Sequence, residues 1–157
     1  MEPAVRRAEP ADAAVLAELL EAACSAAGGH RGGPEAMERW PEGDLADPGV
    51  RAKVVDHALA NGDLEAWLAE LEGAVVGMAL LRQLSGGSRV ELVYVLEGAR
   101  GVGVGDAFVE TLLEATRASG GTWLDAVALP GDRAMKSLFE RGGLVAREIT
   151  LRRSLEG

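Results

Sequence analysis

Residues Arg89 to Gly120 read RVELVYVLEGARGVGVGDAFVETLLEATRASG, three kinds of sequence in succession. Val90 to Leu96 is rich in β-branched and aromatic side chains, which suit a pleated strand. Glu97 to Gly105 follows, with glycines at 98, 101, 103 and 105 and an arginine at 100. Phe108, Val109, Leu112, Leu113 and Thr116 then recur at the spacing of one helix face, and Gly120-Gly121 supplies a stop. The reading is strand, glycine-rich turn, helix. The first N–H groups of such a helix lack partners, and its aligned peptide dipoles place partial positive charge there. Glycines let a phosphate reach those N–H groups with no Cβ in the way, so a pyrophosphate suits the turn.

Spacing separates this turn from two other phosphate loops. A P-loop needs a lysine after its last glycine, whereas Gly105 is followed by Asp106. A dinucleotide-binding turn needs G-x-G-x-x-G, whereas Gly101, Gly103 and Gly105 alternate strictly. The segment resembles instead the acetyl-CoA loop of the GNAT superfamily of N-acetyltransferases, Gln/Arg-x-x-Gly-x-Gly/Ala between a central strand and a helix. Arg100-Gly101-Val102-Gly103-Val104-Gly105 stands in that pattern, preceded by Val93-Tyr94-Val95. The resemblance implies that Arg100 to Asp106 hold the diphosphate of acetyl-CoA. It also implies that the central strand and the one after its helix splay apart, and that the pantetheine arm pairs with the backbone of Val93, Tyr94 and Val95 in the gap. The plain alternative is a glycine-rich strand-to-helix connection with no ligand.

Composition narrows the classes. A chain of 157 residues with 48% hydrophobic content is long enough and apolar enough to bury a core, and one domain over 1–157 is the expected count. A net charge of −9 argues against nucleic acid, which needs a basic footprint, and favours a cationic small molecule or peptide. Cys24 is the only cysteine, so neither an internal disulfide nor a cysteine-based zinc site is expected; among alanines it reads as a small core residue. His30 and His57 have no cysteine or carboxylate triad near them in sequence, and no metal site is expected. The start shows no signal-peptide pattern, and Ala74 to Leu81 is far too short to cross a bilayer. The expectation is a soluble, cytoplasmic protein without membrane partners.

The rest of the chain supplies the elements around that central unit. Val5-Arg6-Arg7 reads as a short strand, and Glu9 to Asp12 opens a helix with Val15, Leu16, Leu19 and Leu20 on its apolar stripe. Gly28 to Pro34 reads as a loop, Glu35 to Trp40 as a helical turn, and Val50 to Ala60 as another helix. Glu65 to Leu71 and Ala74 to Leu84 form a hairpin about Glu72-Gly73. Thr122 to Leu129 is the strand after the central helix, parallel to the central strand because a crossover joins them. Gly131 to Glu140 is a second helix, and Leu144 to Leu155 alternates as a final strand. The GNAT resemblance implies an α/β fold: a twisted, mixed but mostly antiparallel sheet of about six or seven strands, flanked by about four helices. It also implies that the first two helices shape the acceptor site, and that a final strand is exchanged or paired in a possible homodimer.

Acetyl transfer to an amine needs a held thioester, a neutral amine and a leaving thiolate. Glu91, on the central strand at the point where several GNAT enzymes place a catalytic glutamate, is the candidate base; the competing reading pairs it with Arg89 or Arg82. Asp125 is a second acidic candidate, on the strand across the gap. Pro130 to Leu144 resembles the family's Asn-x-x-Ala...Tyr-Glu-x-x-Gly-Phe, with Ala134 and Glu140-x-x-Gly143 matching. Phe139 stands where the family's tyrosine protonates the thiolate, so the general acid is vacant while packing against the pantetheine remains open. Tyr94 and Ser137 are weaker substitutes. The reading is an N-acetyltransferase that moves acetyl from acetyl-CoA to a primary amine; the alternative is a non-catalytic acyl-CoA-binding or regulatory module.

Overall fold

A computed structural model describes residues 2–156. Its sheet has five strands in the order β1-β2-β3-β4-β5: β1 (Ala4–Arg7), β2 (Leu64–Leu71), β3 (Ala74–Leu84), β4 (Gly87–Val95) and β5 (Trp123–Ala126). The first four run antiparallel and β5 is parallel to β4. The helices are α1 (Ala13–Gly28), α2 (Gly33–Glu38), α3 (Pro48–Ala58), α4 (Val104–Ala118) and α5 (Arg133–Arg141), with short 3-10 turns at Pro10–Asp12 and Glu97–Ala99.

Period-two alternation sends each strand's side chains to two cores. Leu64, Ala66 and Leu68 of β2 and Met78 and Leu80 of β3 meet Leu16, Leu19, Leu20 and Val54 of α1 and α3. Ala69, Ala79, Leu81, Val90 and Val93 meet Phe108, Val109, Leu112 and Leu138 of α4 and α5 on the opposite face. Phe108 and Leu112 are fully enclosed, and each such side chain contributes about 1.5–3 kcal/mol by leaving water. Cys24 lies in the first core, and burial pushes its thiol up, as befits an unreactive packing residue.

One expectation is corrected. The sheet of the described residues has five strands, because Leu144 to Leu155 is unpaired chain; Val145, Ile149, Leu151 and Leu155 are exposed. Alternation alone proposes a strand, but a strand exists only where a neighbour supplies ladder partners, and this segment has none. The helical turn expected at Glu35 to Trp40 is found at Gly33–Glu38.

The first helix is anchored by charge. Arg6 on β1 grips Asp12 with two hydrogen bonds at 2.8 and 3.0 Å, while the Asp12 carboxylate also accepts from the Glu9 N–H. The Arg6 bond, helped by that N–H, lowers the Asp12 carboxyl to about 2. A depressed carboxyl stabilises the fold above its ordinary range near 3.9, and that contribution is lost as pH falls toward 2. Because Arg6 is partly solvated, Asp12→Asn is expected to cost only about 1 kcal/mol at pH 7. The loss should shrink toward zero at pH 2, as read by urea melts at both values.

Candidate active site

The central strand is irregular where chemistry was expected. Leu80 of β3 faces Leu92 of β4, but Leu81 faces Val90, so Glu91 is the extra residue of a β-bulge. A bulge bends its strand and sharpens the local twist. The partnership with β5 stops there: Gly87 to Val90 pair with Trp123 to Ala126, whereas Glu91 to Val95 have no β5 partner. The two strands therefore diverge. The Leu96 N–H is spent on Val76 of β3 at 2.8 Å, so strand alternation turns Val95 toward the open side, where its carbonyl accepts from Arg100 Nε at 2.9 Å. The Arg100 guanidinium also lies 5.9 Å from the Tyr94 ring centroid.

Beyond this edge the chain turns into α4. Six successive N–H groups, Gly101 to Asp106, have no acceptor among the described residues; the first helical bond is from Ala107 to Gly103 at 3.0 Å. Gly101 and Gly103 have φ of 81° and 89°, in the left-handed region that glycine enters without penalty, and a Cβ on either would meet no protein atom within 4 Å. The loop is thus a cradle of donors facing open space, at the positive end of a helix. Val102 at its crest is half exposed. Gly105 serves packing as well, since a Cβ there would come within 3.0 Å of Leu138 on α5. Asp106 in the first turn is paired with Arg141 at 3.1 Å. The donor set and the open edge fit a diphosphate with an extended amide-bearing arm.

The Glu91 side chain is only 7% exposed, and each of its oxygens accepts from a guanidinium, Arg82 Nε at 3.0 Å and Arg89 Nε. Both arginines weighed as partners from the sequence are engaged together. Each carboxylate oxygen has a second acceptor position, so the pairing leaves room for an incoming N–H. Asp125 is the register partner of Arg89 and shares its face, but it is exposed and makes no hydrogen bond among the described residues. Phe139 is only 6% exposed and packs in the same core as Val93 and Val104.

Sequence reasoning weighed Arg82 and Arg89 as partners of Glu91 but missed the residues beyond Arg82. Arg82, 4% exposed, extends its terminal nitrogens to Glu42 at 3.0 and 3.3 Å, and its guanidinium lies 5.7 Å from the Trp40 ring centroid. Glu42 also meets His57 Nδ1 at 2.7 Å, and His57 Nε2 meets Asp63 at 2.6 Å. His57 thus bridges two carboxylates, one six residues along the chain and one fifteen away. Burial by itself would raise the Glu42 carboxyl, but the bonds from Arg82 and His57 outweigh it and hold it below the ordinary range. Glu42 raises His57 above its ordinary value, against a smaller opposing effect of burial, and Asp63 adds to the rise. A lone arginine inside the apolar run of β3 was the available signal, since buried charge is rare without a partner. Glu42, forty positions away, gave none.

Among known proteins the likeness is clear in fold and distant in sequence. A predicted acetyltransferase with acetyl-CoA from Clostridium acetobutylicum superposes with a TM-score of 0.71 at 15% identity, covering 98% of this chain and 97% of that one. A ribosomal-protein-alanine N-acetyltransferase from Brucella melitensis biovar Abortus 2308 gives 0.67 at 20%, covering 99% and 100%. The aminoglycoside N-acetyltransferase AAC(6')-Iy in complex with CoA gives 0.73 at 13%, covering 98% and 95%. No curated protein matches by sequence. What these three structures share with the chain is the fold. The family model for the acetyltransferase (GNAT) family matches residues 17–143, and the chain belongs to that family. No helix among the described residues is long and apolar enough to cross a membrane, and no group of three or more His, Cys, Asp or Glu side chains among them is placed to hold a metal ion.

Proposed function

We propose that this chain is a single-domain N-acetyltransferase that transfers acetyl from acetyl-CoA to a primary amine of a small molecule or peptide. The observation that carries this reading is the run of six unpartnered N–H groups from Gly101 to Asp106, set beside the unpaired edge Glu91–Val95. Arg100 to Asp106 take the diphosphate and the β4 edge takes the pantetheine arm, in the manner of a peptide adding to a sheet. The Val95 N–H, turned to the same side, donates to the thioester oxygen as charge develops on it. Glu91 receives the proton of the amine, of which roughly 0.04% is neutral at pH 7 for a pKa near 10.4. Phe139 has no proton to give, so the thiolate leaves unprotonated, at a cost of roughly 2 kcal/mol against the thiol at pH 7. Asp125, exposed beside the gap, attracts a cationic acceptor.

The test is thiol release from acetyl-CoA against a panel of polyamines, aminoglycosides, amino acids and peptides with free N-termini. Release above hydrolysis with at least one amine is expected. Binding of acetyl-CoA without turnover across the panel would favour the non-catalytic module that the Phe139 side chain brings to mind. Failure to bind acetyl-CoA would overturn both readings.

A second copy of the chain completes the sheet. The outer edge of β5 carries no strand among the described residues, while Val145, Ile149 and Leu151 stand exposed on a segment of alternating sequence outside any helix or strand. Pairing of that segment with the β5 edge of a partner would satisfy both at once. Light scattering is expected to give twice the mass of one chain, reverting to one in Ile149→Lys; the single-chain mass at every concentration would exclude the dimer.

A further inference from the structure

Five parts of the chain are tied together by side chains behind the β4 bulge. Arg82 reaches from β3 to Glu91 on β4 and to Glu42 on the connection between α2 and α3. His57, in the last turn of α3, binds the other side of Glu42 and also Asp63 at the start of the segment leading into β2. Trp40, on the same connection as Glu42, covers the Arg82 guanidinium. A single guanidinium thus joins that connection to Glu91 at the bulge.

The His57 ring identifies its own protonation state by geometry. Both nitrogens lie within 2.7 Å of carboxylate oxygens, which only accept hydrogen bonds. A neutral imidazole has one N–H and can satisfy one of them; the imidazolium satisfies both. Loss of a proton sets an acceptor against an acceptor at one contact and loosens either the connection or the turn at Asp63. The charged groups facing the ring are Glu42 and Asp63, with Arg82 behind Glu42, and Glu91 and Arg89 beyond it. With His57 charged, the three carboxylates are matched by three cations.

We propose that His57 and Arg82 are positioning residues for the amine acceptor: Arg82 fixes the Glu91 carboxylate and the Trp40–Asp47 connection to the bulge, and protonated His57 locks that connection, so that acceptor binding loosens when His57 deprotonates. The inference rests on the amine-acetyltransferase reading above and assigns His57 a regulatory part in it. The raised value of His57 gives the sign. The imidazolium is fully present below the ordinary value near 6.5, and its contribution is lost as pH rises through the higher folded value.

The test uses the full-length protein, the best amine of the panel, and His57→Gln, which keeps one donor and one acceptor but cannot take a charge. At pH 6 the acceptor KM of His57→Gln is expected to exceed that of wild type by roughly tenfold, with kcat and the acetyl-CoA KM within about twofold. The ratio of acceptor KM values should fall toward one as pH rises through the folded value of His57, above which the wild-type ring is neutral as well. Arg82→Lys keeps the charge but loses the fork; kcat is expected to fall roughly tenfold or more while acetyl-CoA binding measured by calorimetry is retained. A ratio of acceptor KM values that stays constant while an NMR titration shows the His57 ring losing its proton would overturn the role of His57. A kcat for Arg82→Lys equal to that of wild type would overturn the role of Arg82. Absence of turnover by wild type, with acetyl-CoA bound, would defeat the underlying reading and this inference with it.

Discussion

Replacing Gly103 by valine is expected to weaken acetyl-CoA binding by at least about 100-fold. The loop presents its N–H groups together only because Gly101 and Gly103 sit at φ of 81° and 89°. A β-branched residue is a poor occupant of that region, and holding it there costs roughly 1–3 kcal/mol. Relaxing the strain rotates the peptide planes and misdirects N–H groups from the diphosphate. Losing two charge-assisted hydrogen bonds, at about 1.5 kcal/mol or more each, accounts for the factor of 100. Since a Cβ at Gly103 meets no protein atom within 4 Å, the substitution creates no clash in the core and the fold should persist with a modestly lowered Tm. Gly98 is the internal control. It lies in the same connection, has open space around its Cβ position and is not among the positive-φ glycines, so Gly98→Ala should bind acetyl-CoA as wild type does. Titration calorimetry on the two variants decides the matter: equal affinities would remove the glycine loop from the binding site.

Glu91→Gln is expected to lower kcat by about 100-fold, the lower end of what a positioned base supplies. The structure adds a second consequence. Glu91 is one of two carboxylates that balance Arg82, whose side chain is 4% exposed, and a neutral amide leaves that guanidinium half compensated. Removing one partner of a buried pair costs about 3 kcal/mol, which for a chain of this size is roughly 6–12 °C in Tm. Activity and stability therefore fall together, and a second variant must separate them. Glu91→Asp keeps the charge for Arg82 and Arg89 but withdraws the carboxylate by one methylene. It should recover most of the Tm while kcat stays depressed. A Tm loss with unchanged kcat in Glu91→Gln would make Glu91 a structural counter-ion and move the base elsewhere.

The local elements were legible because each is written in neighbouring residues. The apolar stripe of α1, the hairpin about Glu72-Gly73, the bounds of β3 at Ala74–Leu84 and the strand, turn and helix around Arg100 to Gly105 follow from period, turn chemistry and glycine placement. Those same residues carried the family resemblance, and the matched family model spans them. The fate of Leu144 to Leu155 was not legible. Whether alternating sequence becomes a strand depends on a partner edge, which its own residues do not specify.

The surroundings of Glu91 belong to the same category. A one-residue register slip between β3 and β4 turns Glu91 to the face where Arg82 lies, and the slip is a property of the pair of strands. Glu42, His57 and Asp63 reach that face only after α1 and α3 have packed on the sheet. Sequence by itself determined the backbone cradle, since a positive φ and a bare N–H are local properties of glycine at a helix mouth. Tertiary structure alone decided which charges meet behind the bulge, because ion pairs are set by distance in space and those partners are separated by as many as 40 residues of chain.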